Sequence, residues 1–215
     1  MKTKFIFLVV LVCSIQMVCA QTKLYVNKAF KETAKSHRLI AVVPFKVQIK
    51  LRQKQMEKIS KEQLTAMEKA ESFSVQNALH SYLLSRGFKK NLDIRIKDLK
   101  EVNIMLSRKE ITSENIDQFT SKELAEILGV DAVVSGTFFT ERPTSDEAAL
   151  AVGAITGFWF LSTNSGRCAI SINDAKTGDL MWKYDRSSSS GLGRSSQEVI
   201  DRTMRNASRR LPYLR

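Results

Sequence analysis

The stretch Thr120 to Thr140, TSKELAEILGVDAVVSGTFFT, constrains the fold of this chain more than any other. Thr120 and Glu123 stand in the T-x-x-E spacing of a capping box, in which each side chain satisfies a free backbone N–H at a helix start. Leu124, Ile127 and Leu128 follow at i, i+3 and i+4 and form one apolar helical face. Gly129 offers the left-handed residue that closes a helix, and Ala132 to Val134 read as a strand apolar on both faces. A helix, a tight stop and a doubly buried strand in immediate succession point to an α/β domain. They carry no chemistry.

The rest of the chain extends the pattern. Leu39 to Val43, LIAVV, is a strand that Pro44 ends. Lys46 to Glu68 is rich in lysine and glutamine without alternation, which predicts an extended piece giving way to a solvated helix or mobile insertion. Phe73 to Arg86 predicts an amphipathic helix, with Val75, Leu79, Tyr82 and Leu83 inward and Gly87 as its C-cap. Leu92, Ile94 and Ile96 alternate as a half-buried strand, and Asp98 with Glu101 opens a helix carrying Val102, Met105 and Leu106. Ser113 to Phe119 adds a turn. Beyond the opening segment, Arg167 to Asn173 and Asp179 to Tyr184 form a hairpin around Asp174-Ala175-Lys176-Thr177-Gly178. Ser187 to Ser190 with Gly191 and Gly193 reads as a link. Ser195 and Glu198 then cap a last helix, with Ile200, Met204, Ala207 and Leu211 on its inner face. The order is β-α-β-α-β-β-β-α, a single α/β domain over residues 39–213 with helices packed on a mixed sheet. It has an arm at 21–38 and insertions at 46–68 and 141–165.

Residues 1–20 read as a secretory signal peptide: Lys2 and Lys4, the apolar run Phe5 to Cys13, and Val18-Cys19-Ala20 before Gln21. The run is too short to span a bilayer. A lipidated cysteine needs a small residue directly before it, but valine precedes both Cys13 and Cys19, so no lipidation is expected. After cleavage only Cys168 remains, which excludes an internal disulfide and an all-cysteine metal site. Its alternation with Ile170 and Ile172 makes it a small buried hydrophobe. The formal charge of +12 stays strongly positive without Lys2 and Lys4. For an exported, periplasmic protein, this favours an acidic envelope protein or an anionic membrane surface over nucleic acid.

No catalytic constellation is visible. His37 and His80 are the whole histidine supply, and His80 reads as a structural residue on a helix. There is no G-x-S-x-G elbow, H-E-x-x-H helix or Walker loop. Gly191-Leu192-Gly193 lacks the third glycine of a dinucleotide loop, because Ser196 stands there. Asp131 and Asp174 have ordinary local roles, at a strand mouth and in a turn. Nothing asks for a cofactor. Two features remain as contact surfaces. Ala148 to Leu161, fourteen residues without a charge, carries Leu150, Val152, Ile155, Phe158, Trp159 and Phe160 as candidate membrane or subunit contacts. The last helix carries Arg202, Arg205, Arg209 and Arg210 as candidate contacts to an anionic surface.

Four segments resemble one superfamily of bacterial envelope proteins. It comprises the curli-secretion channel lipoprotein, the outer-membrane lipoprotein activators of penicillin-binding proteins, and the N-terminal domain of TolB. Ile40-Ala41-Val42-Val43-Pro44-Phe45 resembles their IAVLPF strand, and Leu128 to Thr137 their GADYVVSG strand. Asp174 to Trp182 is similar to their D-x-x-T-G-x-x-x-W hairpin, and the helix ending in Leu211-Pro212-Tyr213 completes the order. The resemblance implies a compact α/β domain and a non-catalytic accessory role, peripheral to the outer membrane, with homo-oligomerisation as an option. The competing expectation is a subunit of an oligomeric secretion channel, which needs long alternating strands in its insertions.

Overall fold

The computed structural model describes residues 22–90, 94–141, 165–189 and 196–214. Along the chain run β1 (Thr22–Val26), α1 (Phe30–Thr33), β2 (Leu39–Val42), β3 (Lys46–Lys50), α2 (Gln53–Met56) and α3 (Lys61–Lys90). Then follow β4 (Arg95–Ile96), α4 (Leu99–Ser107), α5 (Ser121–Leu128), β5 (Ala132–Glu141), β6 (Ser165–Asp174), β7 (Leu180–Ser189) and α6 (Ser196–Ser208). The described strands make one seven-stranded sheet in the order β1-β7-β6-β5-β2-β4, with β3 also paired to β5. Pairings of β2 and β3 with β5 and of β2 with β4 are parallel, and the others are antiparallel. The fold is the expected mixed α/β domain.

The opening segment folds as its residues dictate. The Glu123 N–H donates to Thr120 Oγ1 at 3.2 Å, and the Thr120 N–H donates back to the Glu123 carboxylate at 2.7 Å. α5 closes on Gly129 at φ 61°, in the left-handed region. Ala132, Val133 and Val134 are then fully buried because helices lie on both faces of β5. On one face, Ile40, Val42, Val134, Ile170 and Trp182 pack under Leu79 and Leu83 of α3 and Ile200 and Met204 of α6. On the other, Ala41, Val43 and Val133 meet Val102 and Leu106 of α4 and Leu124 and Leu128 of α5.

Pro44 breaks one long strand into two. Val42 pairs with Val134 but Lys46 with Thr137, so one extra residue is absorbed between β2 and β3. That irregular stretch loses regular ladder bonds, and α3 replaces them. Gln76 donates to the Val42 carbonyl at 2.9 Å, Ser72 to the Phe45 carbonyl at 2.7 Å, and the Ile49 N–H donates to Glu68 at 2.9 Å. Spaced at i, i+4 and i+8, the three polar side chains form the inward stripe of the helix. The Phe45 ring fills the hollow above Gly136. A Cβ at Gly136 would stand 2.4 Å from the Ala169 carbonyl oxygen and 2.5 Å from the Phe45 ring. Gly136→Ala is therefore expected to cost about 1–3 kcal/mol by overpacking, read as a lower midpoint in urea unfolding.

Several expectations need correction. The arm before residue 39 contains a strand: β1 pairs antiparallel with β7, Leu24 opposite Tyr184. The insertion at 46–68 is β3, α2 and the start of α3, an extended piece giving way to helix. Helix α3 starts at Lys61 and passes through Gly87, which does not cap it. Leu92 and Asp93 lie outside the described residues, and β4 is only Arg95–Ile96. Ser187 to Ser189 belong to β7, held by pairing with β6, rather than to a link. Ser195, and with it the expected third capping box, lies outside the described residues. So does the uncharged tract with Leu150, Val152, Ile155, Phe158, Trp159 and Phe160. Cys168 is buried as expected, and burial pushes its thiol pKa well up.

Candidate interaction surfaces

The fold brings His37 to the two aspartates that were read as separate local features. His37 Nε2 donates to Asp174 Oδ1 at 2.9 Å, and Nδ1 faces the Tyr213 hydroxyl. A carboxylate only accepts, so Nε2 carries a proton, and Nδ1 lies within hydrogen-bonding reach of the Tyr213 hydroxyl. Asp174 Oδ2 also takes the Thr177 N–H and hydroxyl at 2.8 and 3.0 Å, holding the hairpin turn that Gly178 completes at φ 77°. Asp131 Oδ2 accepts the N–H groups of Arg38 and Leu39 at 2.7 and 2.9 Å. Burial raises the pKa of both carboxyls, but these hydrogen bonds outweigh it and hold each below its ordinary value. Phe30 packs edge-on to the Tyr213 ring at 5.1 Å.

Carboxylate, imidazole and hydroxyl in line resemble a proton relay, yet the imidazole and the carboxylate are shut away from solvent. The His37 and Asp174 side chains are 1% and 4% exposed, and burial raises the Tyr213 phenol above its usual range. Neither of the two described cavities touches the three residues. The arrangement is a clamp joining the entry to β2, the β6–β7 turn and the C-terminal segment. His80 is buried too, and burial lowers its pKa despite a hydrogen bond to the Lys97 backbone. Among the described residues, no group of three or more His, Cys, Asp or Glu side chains could hold a metal.

The accessible chemistry lies on the sheet. α3 and α6 cover one face along its length, while α4 and α5 cover only the end of the other near β2. The remaining side chains of that second face form three rows across the strands. They are Ser135, Ser171, Lys183 and Tyr25; then Thr137, Ala169, Asp185 and Lys23; then Phe139, Arg167 and Ser187. All are exposed or half-buried. Arg167 pairs with Asp185 at 2.8 Å, and its hydrogen bond holds the Asp185 carboxyl below the ordinary range. Where this face meets α5 and Pro44, a groove of about 420 Å³ runs past Ser135, Gly136, Thr137 and Ser171 between Lys46 and Lys183. Its floor carries small residues and its walls Ile116, Phe119 and Leu180. The groove was missed in the sequence because its residues come from five separate segments.

Arg202, Arg205, Arg209 and Arg210 are exposed at the C-terminal end of the chain, on and just beyond α6. They lie on the helical side of the sheet, opposite the open face. Among the described residues, no helix is long and apolar enough to cross a membrane.

No family model matches the chain, and no curated protein matches it. Solved structures with a similar course include the PelC dodecamer of Paraburkholderia phytofirmans, at 11% identity and TM-score 0.43, over 91% of this chain and 97% of that one. Lipoprotein GNA1162 of Neisseria meningitidis is 14% identical with TM-score 0.44, over 80% and 98% of the two chains. The LpoB C-terminal domain of Escherichia coli is 9% identical with TM-score 0.35, over 75% and 95%. GNA1162 is a lipoprotein, whereas Cys13 and Cys19, the cysteines judged unfit for lipidation here, lie outside the described residues.

Proposed function

We propose that the protein is a non-catalytic accessory protein of the bacterial cell envelope that docks another envelope protein on the open face of its sheet. One observation carries this reading: a polar, solvent-facing sheet surface spanning four strands, beside a groove, in a domain whose His37–Asp174 pair is buried. A bare sheet face that is polar rather than apolar keeps the free protein soluble and still offers a broad hydrogen-bonding surface. Tyr25 and Phe139 supply aromatic anchors among charged and hydroxyl groups. The basic surplus, including Arg202, Arg205, Arg209 and Arg210, steers the chain toward acidic surfaces from the helical side. A secretion channel fits less well, since the insertion at 46–68 holds a five-residue strand and helices, not long alternating strands.

The test places a photo-crosslinking amino acid at Thr137, at Lys183 and, on the helical side, at Asn77, all three exposed. Irradiation of intact cells is expected to give the same protein adduct from Thr137 and Lys183 and none from Asn77. Adducts from Asn77 alone, or from no position, would reject the open face as the docking surface.

A further inference from the structure

At the far end of α3 the surface changes character. Phe88 is 88% exposed, the most exposed large hydrophobic side chain among the described residues, and Leu84, one turn earlier, is 47% exposed. Isolated exposed hydrophobic residues are ordinary on a soluble protein. These two are not isolated, because they border an open apolar cleft of about 530 Å³ lined by Leu83, Leu84, Gly87, Phe88, Ile94, Arg95 and Ile96. The cleft lies against β4, the terminal strand of the sheet.

Among the described residues, exposed Lys89 follows Phe88 on the helix and exposed Arg95 stands on the cleft wall, and neither is in an ion pair. Lys97, by contrast, is neutralised by Glu101 at 2.7 Å.

We propose that this end of the molecule is a binding site for an anionic phospholipid bilayer. Phe88 and Leu84 enter the acyl boundary, and Lys89 and Arg95 meet the headgroup phosphates. Apolar side chains projecting beside unpaired cations are the combination that holds a peripheral protein at an anionic interface. An added peptide strand is the poorer occupant, since β4 is only two residues long and offers little ladder to extend. The site deepens the envelope reading by naming lipid as a partner. It uses a different surface from the open sheet face, so each can fail alone.

The experiment is co-sedimentation of the purified chain with phosphatidylethanolamine–phosphatidylglycerol vesicles and with phosphatidylcholine vesicles, at low and moderate salt. Wild type is expected to pellet with the anionic vesicles and much less with the neutral ones. Phe88→Glu is expected to lower partitioning about tenfold or more, and Lys89→Gln with Arg95→Gln to lower it most at low salt and to flatten its salt dependence. Both changes are at exposed positions, so circular dichroism should remain that of wild type. Wild-type protein that ignores anionic vesicles overturns the proposal. So does undiminished binding by Phe88→Glu, including the case in which only changing Arg202, Arg205, Arg209 and Arg210 releases the protein. Loss of a protein partner in Phe88→Glu without any vesicle binding by wild type would assign the cleft to a peptide and overturn it equally.

Discussion

His37→Ala is expected to destabilise the protein by about 3–5 kcal/mol, a fall in Tm of about 10 °C or more. Among the described residues the imidazole bridges Asp174 and Tyr213, the carboxylate buried with it and the phenol half-buried. Its removal leaves a buried carboxylate short of one donor and the phenol short of its imidazole partner. Tyr213→Phe should cost less, about 1–2 kcal/mol, because the ring and its edge contact with Phe30 survive. The clamp also sets a pH dependence. Asp174 and Asp131 have folded pKa values below those of the unfolded chain, so the unfolded state takes up protons first. Their contribution is complete above the unfolded value near ~4 and is lost as pH falls from there through the depressed folded values. Urea midpoints measured from pH 6 downward should therefore drop for wild type and drop less steeply for Asp174→Asn. Equal slopes would show that Asp174 titrates alike in both states.

Trp182→Ala should be comparably damaging, at about 3–5 kcal/mol. The indole is fully buried and lies parallel to the Tyr184 ring, with centroids 6.0 Å apart, between β7 and the two long helices. Phenylalanine at the same position gives the informative contrast. Trp182 Nε1 has no hydrogen-bond acceptor in the core, so losing that N–H removes an uncompensated polar group along with some volume. Trp182→Phe is thus expected to cost only about 1 kcal/mol, since most of the aromatic contact remains. Chemical unfolding of both variants decides it. A Phe variant as damaged as the Ala variant would mean that the N–H has a partner, such as an ordered water.

The uneven legibility of the sequence follows from these contacts. The α5–β5 unit was readable because every signal is local: a capping box, an apolar face, a left-handed glycine and a doubly buried strand within 21 residues. The first half of α3 was not, because its inward positions are Glu68, Ser72 and Gln76. They serve the backbone broken at Pro44, and a search for apolar periodicity passes over them. β1 was hidden for the opposite reason. As an edge strand it leaves Leu24, Tyr25 and Val26 exposed, so it has no burial pattern to read. The clamp joins His37 to residues 137 and 176 positions away, and only the assembled sheet reveals it. The open face was equally invisible. Its residues are small or charged, unremarkable one by one, and they become a surface only when β1, β5, β6 and β7 are laid in register.

Two sides of one domain thus have separate tasks. The helical side carries Phe88 and the exposed arginines of α6, and the open sheet face carries the polar rows on which a partner is proposed to dock. The most direct measurement of this account compares the envelope proteins co-purified with wild type and with Thr137→Arg/Ser171→Arg, by quantitative mass spectrometry. Both positions are accessible, so the folded state should persist, while two bulky cations block the groove and the central rows. The account predicts that one or a few envelope proteins are depleted about tenfold or more in the variant. Identical recoveries from the two proteins would contradict it.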